Sequence, residues 1–590
     1  MKNKNPILFL FLILWISSTF AQSTFVDKIA IKPSDESHLV TTDDGGWLVA
    51  YSIKKDLSSF QSDGIQLIKY DPCLQIEWTK EYQIPGELIN VDAFLKHSNG
   101  DYFICGTIWA DPSYTDLFVF QFTVDGSPVF FKSYTKDFTD LIYSFDETAA
   151  GHLMIFGISH DNPTTSRNLF ATINTEGELL SATTHSQAGI WGRGMACSDG
   201  GYIGRMSNRI FKVAANGDPI WANSYTGVFD APPPVEVDGG YIFASSRVSN
   251  TTIDPHYLFK LDYNGDLVWV SPGYQANGYA TLEALPNGNI LCMDKYIDPN
   301  EPDILEVNLL TFSSEGEQLS NEKLLNTYSP ISRLGTDMAL LSDGSLLFST
   351  LSGSNRDTLY IGKSDPSFAF ACGQTDVLNE DIIKVITSQP FTLANIGVTF
   401  GTTEHIIEAI DVNLNTESVC KNLDIEFPSP LPDTTICAGE EVLITIDLPG
   451  ASFEWEDGST ADSLLVNSSG NYEVTVSLCG EMVTIPIQTV IVEDCPCYSA
   501  MPNAFTPDGD GKNDIFNLLY NCDITDFKLD VYNRWGDLVF SSTNLETGWN
   551  GMKNSSPAPM DVYIYRCQYR FEGDDVNELF EEAGDVSLIR

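Results

Sequence analysis

Residues 505–514 read FTPDGDGKND, with carboxylates at Asp508, Asp510 and Asp514 and glycines at Gly509 and Gly511. Hard cations take oxygen ligands from closely spaced carboxylates in loops that glycine allows to bend, so calcium is one reading of this stretch. The twelve-residue calcium loop, however, wants Asp or Asn at the fifth position and Gly at the sixth; here these are Lys512 and Asn513. A glycine-rich structural loop is the other reading, and the preferred one. Elsewhere the residues able to do chemistry are dispersed. The seven histidines (38, 97, 152, 160, 185, 256 and 405) show no HExxH and no metal-ligand spacing, and there is no GxSxG elbow or Walker loop. An enzyme would have to work with carboxylates alone, as in glycoside hydrolysis. Nothing among the 81 acidic residues singles out such a pair, so no catalytic residue, metal or cofactor is assigned and a non-enzymatic role is expected.

The elements that would position any site are strands. Aromatic residues are abundant and glycine-marked turns recur, which places the chain in the all-β class. One pattern returns seven times between residues 40 and 365, as in TDDGGWLVAYS, SNGDYFICGT, VDGGYIFASS and SDGSLLFSTL. An alternating strand and a second tight turn usually follow, as in LFKLDYNGDLVWV (258–270). Such turns between apolar alternations mark hairpins. The second strand of each unit begins near 47, 102, 153, 202, 241, 290 and 346, about 50 residues apart. Four strands at that period make a propeller blade, because stacked blades bury faces that one blade leaves wet. A seven-bladed propeller is therefore expected over 22–370, with an open solenoid as the runner-up, and residues 25–40 are free to complete the last blade. The DGG aspartates are read as turn residues, and Trp78, Trp221 and Trp269 as packing between blades.

Around this unit the chain is modular. Lys2 and Lys4 precede ten apolar residues and then small residues at Thr19 and Ala21, the pattern of a secretory signal peptide over 1–21. No other run is long enough to span a bilayer. The formal net charge of −49 argues against nucleic acid and anionic lipid partners. After the repeat, 371–429 reads as a small β extension, closed by a Cys372–Cys420 pair, and a linker. Residues 430–494 read as an Ig-like or PKD-like sandwich whose Cys437, Trp455 and Cys479 follow the order of a tryptophan packed on an inter-sheet disulfide.

The remainder, 497–590, carries five motifs in order: PNAFTPDGDGKNDIF, FKLDVYNRWGDLVF, GWNG, DVYIYRCQY and GDVSLIR. Together they closely resemble the gliding-motility-associated C-terminal domain, the type B sorting domain of the type IX secretion system of Bacteroidota. The family usually has Asn where this chain has Asp508. The resemblance carries family roles onto Pro502, Asn503, Phe505, Pro507, Asp508, Gly509, Asp510, Gly511, Asn513 and Asp514 in the first motif. It carries them likewise onto Asn533, Arg534, Trp535 and Gly536, onto Trp549 and Gly551, onto Tyr563 and Tyr565, and onto Gly584, Leu588 and Arg590. It implies a β-sandwich read by the secretion machinery, with passage through periplasm and outer membrane to the surface or medium. The expected function is that of an exported protein whose propeller binds an extracellular glycan or protein. The alternatives are a polysaccharide hydrolase or lyase with acids in the propeller mouth, and a structural component of the gliding or surface layer.

Overall fold

The computed structural model describes residues 14–589 apart from 18–23, 35, 55–61, 112–113, 137–138, 163–164, 186–191, 207, 226–232, 246–254, 276–279, 298–303, 329–335, 342, 353–356, 369–373, 376–387, 391–394, 398–399, 423–426, 428–433, 438–440, 493–498, 508–512, 521–522, 554–555 and 572–578. Every regular element among the described residues is a strand, and no helix is long and apolar enough to cross a membrane.

Seven sheets follow one another around a ring as the blades of a propeller. Blade 1 is Ser37–Thr41, Trp47–Lys54, Ser62–Tyr70 and Ile76–Gln83, each strand antiparallel to the next. Blades 2 to 6 repeat the order, with innermost strands Leu88–Lys96, Asp140–Glu147, Gly192–Ala196, Val235–Val237 and Thr281–Ala284. Blade 7 is built from both ends of the unit. Thr336–Leu340, Leu346–Ser352 and Thr358–Lys363 come from its end, and Thr24–Ala30 supplies the fourth strand. Pairing the two ends closes the ring.

The core lies between blades. Middle strands such as Trp47–Lys54 are buried along their whole length, and apolar clusters join each blade to the next, for example Ile104 and Phe120 of blade 2 with Leu48 and Leu67 of blade 1. The fourth-strand tryptophans serve this packing. Trp221 Nε1 donates to the carbonyl of Tyr263 in the following blade at 2.9 Å, and Trp269 Nε1 to that of Ser314 at 3.1 Å.

The DGG turns are held by charge. Asp44, Asp199 and Asp343 accept ion pairs from Lys69, Lys212 and Lys363 on third strands, at 2.8, 2.6 and 3.2 Å. Gly46 is obligatory beside such a pair, since a Cβ there would collide with the Tyr70 carbonyl.

The six strands described within 374–422 do not form a separate extension. They run back around the outside of the ring as a belt and give six blades a fifth strand. Gln374–Thr375 joins blade 6, Ser388–Pro390 blade 4, Asn395–Gly397 blade 3, Gly401–His405 blade 2, Glu408–Asp411 blade 1 and Asn415–Asn422 blade 7. The expectation of a Cys372–Cys420 bridge falls on residue 372 and on the side chain of Cys420, both outside the described residues.

The next module packs two sheets over one core. Val442–Asp447 and Ser463–Val466 face Thr434–Cys437, Glu481–Val492, Gly470–Leu478 and Ser452–Trp455, with Trp455, Val474 and Ile485 buried between them. Leu14–Ser17 adds a parallel strand to Val442–Asp447. The expected Cys437–Cys479 bridge is corrected: Cys479 is bonded to Cys73 of blade 1, 406 residues away. The ladder explains why. Cys437 pairs opposite Val492, whereas Cys479 lies beside Glu481 at the other end of the same strand. Eleven residues at about 3.3 Å each separate them by about 35 Å, far beyond the ~7 Å that a disulfide spans between Cα atoms.

Candidate functional site

Two places concentrate groups with something to do. The first is the channel of the propeller, where a cavity of about 570 Å³ is lined by the innermost strands of all seven blades. His38, Asp92, Ser144, Arg193, Thr281 and Asp337 line it from six blades. Five of them stand nine residues before the first residue of their blade's second strand; in blade 2 that place is Ala93, and Asp92 is the extra residue of a bulge between Val91 and Ala93. A polar residue recurring at that offset in five blades was the trace of the channel in the sequence; Asp92 and Glu283 stand outside it. Glu36, Pro233, Pro234 and Ala280 precede their strands and also line the cavity, so it opens on the side of the blade-to-blade connections, opposite the tight turns.

Its acids are perturbed. Burial, with repulsion from Glu36, pushes Asp92 well above the usual carboxylate range despite a hydrogen bond from Thr107. Its Oδ2 is enclosed and has no hydrogen-bond partner. Burial and the neighbouring Asp337 push Glu283 up to about 7. Asp146 is pushed up to about 6 by burial, against the amides of Ala196 and Glu147. Others have structural work: Asp337 Oδ2 accepts from the Leu39 amide at 2.9 Å, and Ser144 Oγ from that of Gly194 at 2.9 Å. Phe94, Tyr143 and Phe145 add aromatic surface. Among the described residues no group of three or more His, Cys, Asp or Glu side chains is set to hold a metal. His97, His185 and His256 are buried in three different parts of the ring rather than gathered.

The second place is the C-terminal module. Its main sheet runs Ala504–Phe505, Phe580–Leu588, Asp561–Phe571, Ile524–Tyr532 and Leu538–Ser542. Phe580–Leu588 therefore lies between two strands rather than at an edge, stitched to the first motif by Ser587 N on the Asn503 carbonyl and Ile589 N on that of Phe505. Phe505 packs tilted on Trp549 in the core and Tyr563 meets it edge to face, with ring centroids 5.2 and 4.7 Å apart. Trp549 Nε1 donates to the Met552 carbonyl, and its backbone exchanges both hydrogen bonds with Phe516. Gly551 accepts from the Ala558 amide, and the Tyr565 ring lies against Gly584, its register partner. Leu588 is buried. Pro502 and Pro507 flank this first strand, and Thr506 N bonds the Asn513 carbonyl, closing the loop between them. Asp508, Gly509, Asp510 and Gly511 lie outside the described residues, as does Arg590, so the calcium alternative has only Asp514 within them.

The model of the CHU_C Type IX secretion signal domain matches residues 499–581. A comparison with curated proteins finds no match. Solved structures similar to the chain include a protein of unknown function from Dyadobacter fermentans, at 11% identity, covering 58% of this chain and 98% of that one with a TM-score of 0.35. Another is the periplasmic gluconolactonase of Pseudomonas aeruginosa, at 12% identity, covering 52% and 96% with a TM-score of 0.35. A third is a GH43 β-xylosidase/α-arabinofuranosidase from a compost metagenome, at 11% identity, covering 49% and 94% with a TM-score of 0.28. At these values the propeller assignment rests on the strand order of the seven sheets. Residues 499–581 match the type IX secretion signal domain, and that signal implies export through the secretion machinery across the outer membrane to the surface or medium.

Proposed function

We propose that the exported propeller is an extracellular binding and adhesion module, taking a glycan or a protein segment at the mouth of its channel without turning it over. The observation that carries this reading is the ring of polar side chains from six blades around one cavity of about 570 Å³, a volume that suits a small ligand or the tip of a larger one. Carboxylates and aromatic rings side by side serve hydroxyl-rich ligands, the acids accepting hydrogen bonds and the rings covering apolar faces. Orientation supports it as well. Cys73, bonded to Cys479, belongs to the tight turn after Tyr70, and Pro449 of the sandwich packs on Gly45 of the first DGG turn. The sandwich thus holds the turn face of blade 1 and leaves the mouth pointing away.

A second reading, hydrolysis, is favoured by one observation: Glu283, held at about 7, retains a proton near neutrality as a general acid must. One experiment separates the two. The full-length protein is screened on a glycan array and a panel of extracellular proteins, then as Asp92→Asn with Glu283→Gln. Binding that weakens by about tenfold or more, with no product released by the unaltered protein, supports the proposal. Binding indifferent to both changes contradicts it, and turnover lost on Glu283→Gln replaces it with the second reading.

A further inference from the structure

We propose that Trp535 is the anchor by which the secretion machinery grips the C-terminal module, entering an apolar pocket with a basic rim on the receptor component. The inference rests on the export reading and adds the surface that is read.

The tip Asn533–Asp537 joins two strands of the main sheet, and nearly every group in it is committed to holding its shape. Asn533 Oδ1 accepts from the amides of Trp535 and Asp537 at 3.0 and 2.9 Å, and its Nδ2 donates to Asp537 Oδ2 at 3.1 Å. The Asn533 amide bonds the Asp537 carbonyl, and Gly536 takes φ +84°, a conformation open to glycine and costly for other residues. Arg534 grips the Asp561 carboxylate with both Nε, at 2.8 Å, and Nη2, tying the tip to the start of a third strand. Trp535 alone is unspent: it is 82% exposed. A rigid turn that holds its largest apolar side chain in water has already met the ordering cost of binding.

The indole does not stand by itself. Leu538 pairs opposite Tyr532, and Tyr532 opposite Ile564, so the three share the outer face of the sheet, with Val562 two residues along. Leu538, Ile564 and Val562 are each about half exposed. Single exposed apolar residues are ordinary, but a set of them on one face, beside the turn that carries an exposed tryptophan, marks an interaction surface. The face changes character one row further on, where Arg566 pairs with Glu581 and Lys528 with Asp530. Asp537 and Asp585, the latter opposite Ile564, put negative charge at the edge, which is why the receiving pocket should carry a basic rim. Trp549 of the same module shows the contrast: it is fully buried and spent on the core.

The test expresses the full-length protein in a host with the type IX system, as Trp535→Ala, Trp535→Phe and Ile564→Lys, beside a chain lacking 499–590. Each is scored for the fraction outside the cell, and the purified proteins for thermal midpoint and oligomeric state. Trp535→Ala and Ile564→Lys should lower the extracellular fraction by about tenfold or more, Trp535→Phe should retain most of it, and midpoints should stay within about 2 °C. Export of Trp535→Ala at the unaltered level overturns the proposal. So does a loss of export accompanied by a fallen midpoint, which makes the role structural, or a change confined to self-association, which makes the occupant a second copy. If the chain lacking 499–590 is also exported, the export reading fails rather than the anchor.

Discussion

Asp44, Asp199 and Asp343 occupy one place in three blades, each taking the charge of a buried lysine at a turn. Lys69 is only 1% exposed. Removing its partner in Asp44→Ala leaves a buried ammonium with Glu77 at 3.4 Å and the Tyr70 carbonyl at 2.9 Å, and the expected loss, that of one charged hydrogen bond, is ~1.5 kcal/mol in denaturant unfolding. Burial works against the Asp44 charge, yet the bonds from Lys69, Thr42 and the Gly46 amide hold its carboxyl below the usual range. Its contribution is therefore whole above about pH 4, and is lost as pH falls through the depressed folded-state value. Glu283 has the opposite sign. Its folded-state value of about 7 lies above the ordinary 4.5, so the folded protein holds the proton longer and stability falls as pH rises between those values. Glu283→Gln should flatten that fall; an unchanged pH profile of the melting midpoint would count against the burial argument. These turn aspartates were legible in sequence because DG spacing and strand alternation repeat. Asp92 and Glu283 were not, because their significance comes from facing other blades across a channel that no local window contains.

Elements show a similar division. The second strands begin at Trp47, Tyr102, Leu153, Tyr202, Gly240, Ile290 and Leu346, within one residue of the positions marked by the repeat, since hydrophobic alternation and turn glycines are local signals. The belt carried no such signal. Its segments are two to eight residues long and pair with strands from 51 positions earlier (Lys323 with Gln374) to 398 positions earlier (Thr24 with Asn422), so period and alternation are absent. Its consequence can be measured. An exposed sheet edge recruits other chains, so a chain ending at residue 370 should aggregate, while one ending at 427 should remain monomeric in light scattering. Equal behaviour of the two would show that the belt does not protect the edges. The Cys73–Cys479 bond joins separate modules and was equally hidden. Peptide mapping should recover that pair, and Cys73→Ser should cost ~2–5 kcal/mol; a recovered Cys437–Cys479 peptide would contradict the ladder geometry.

At the scale of the molecule, the order of the parts gives each a task. The ring presents its mouth, the sandwich is bolted to the opposite face through Cys479, and the C-terminal sheet carries the export address. The final strand lies between Ala504–Phe505 and Asp561–Phe571, so the address is a folded surface rather than a tail, and it should act independently of the propeller's fold. The most direct measurement compares the full-length protein with a chain ending at Asp494, each scored for the fraction in periplasm and outside the cell. The shortened chain should accumulate in the periplasm with its propeller folded, while the full-length protein reaches the surface or medium. Equal amounts of the two outside the cell would contradict the account.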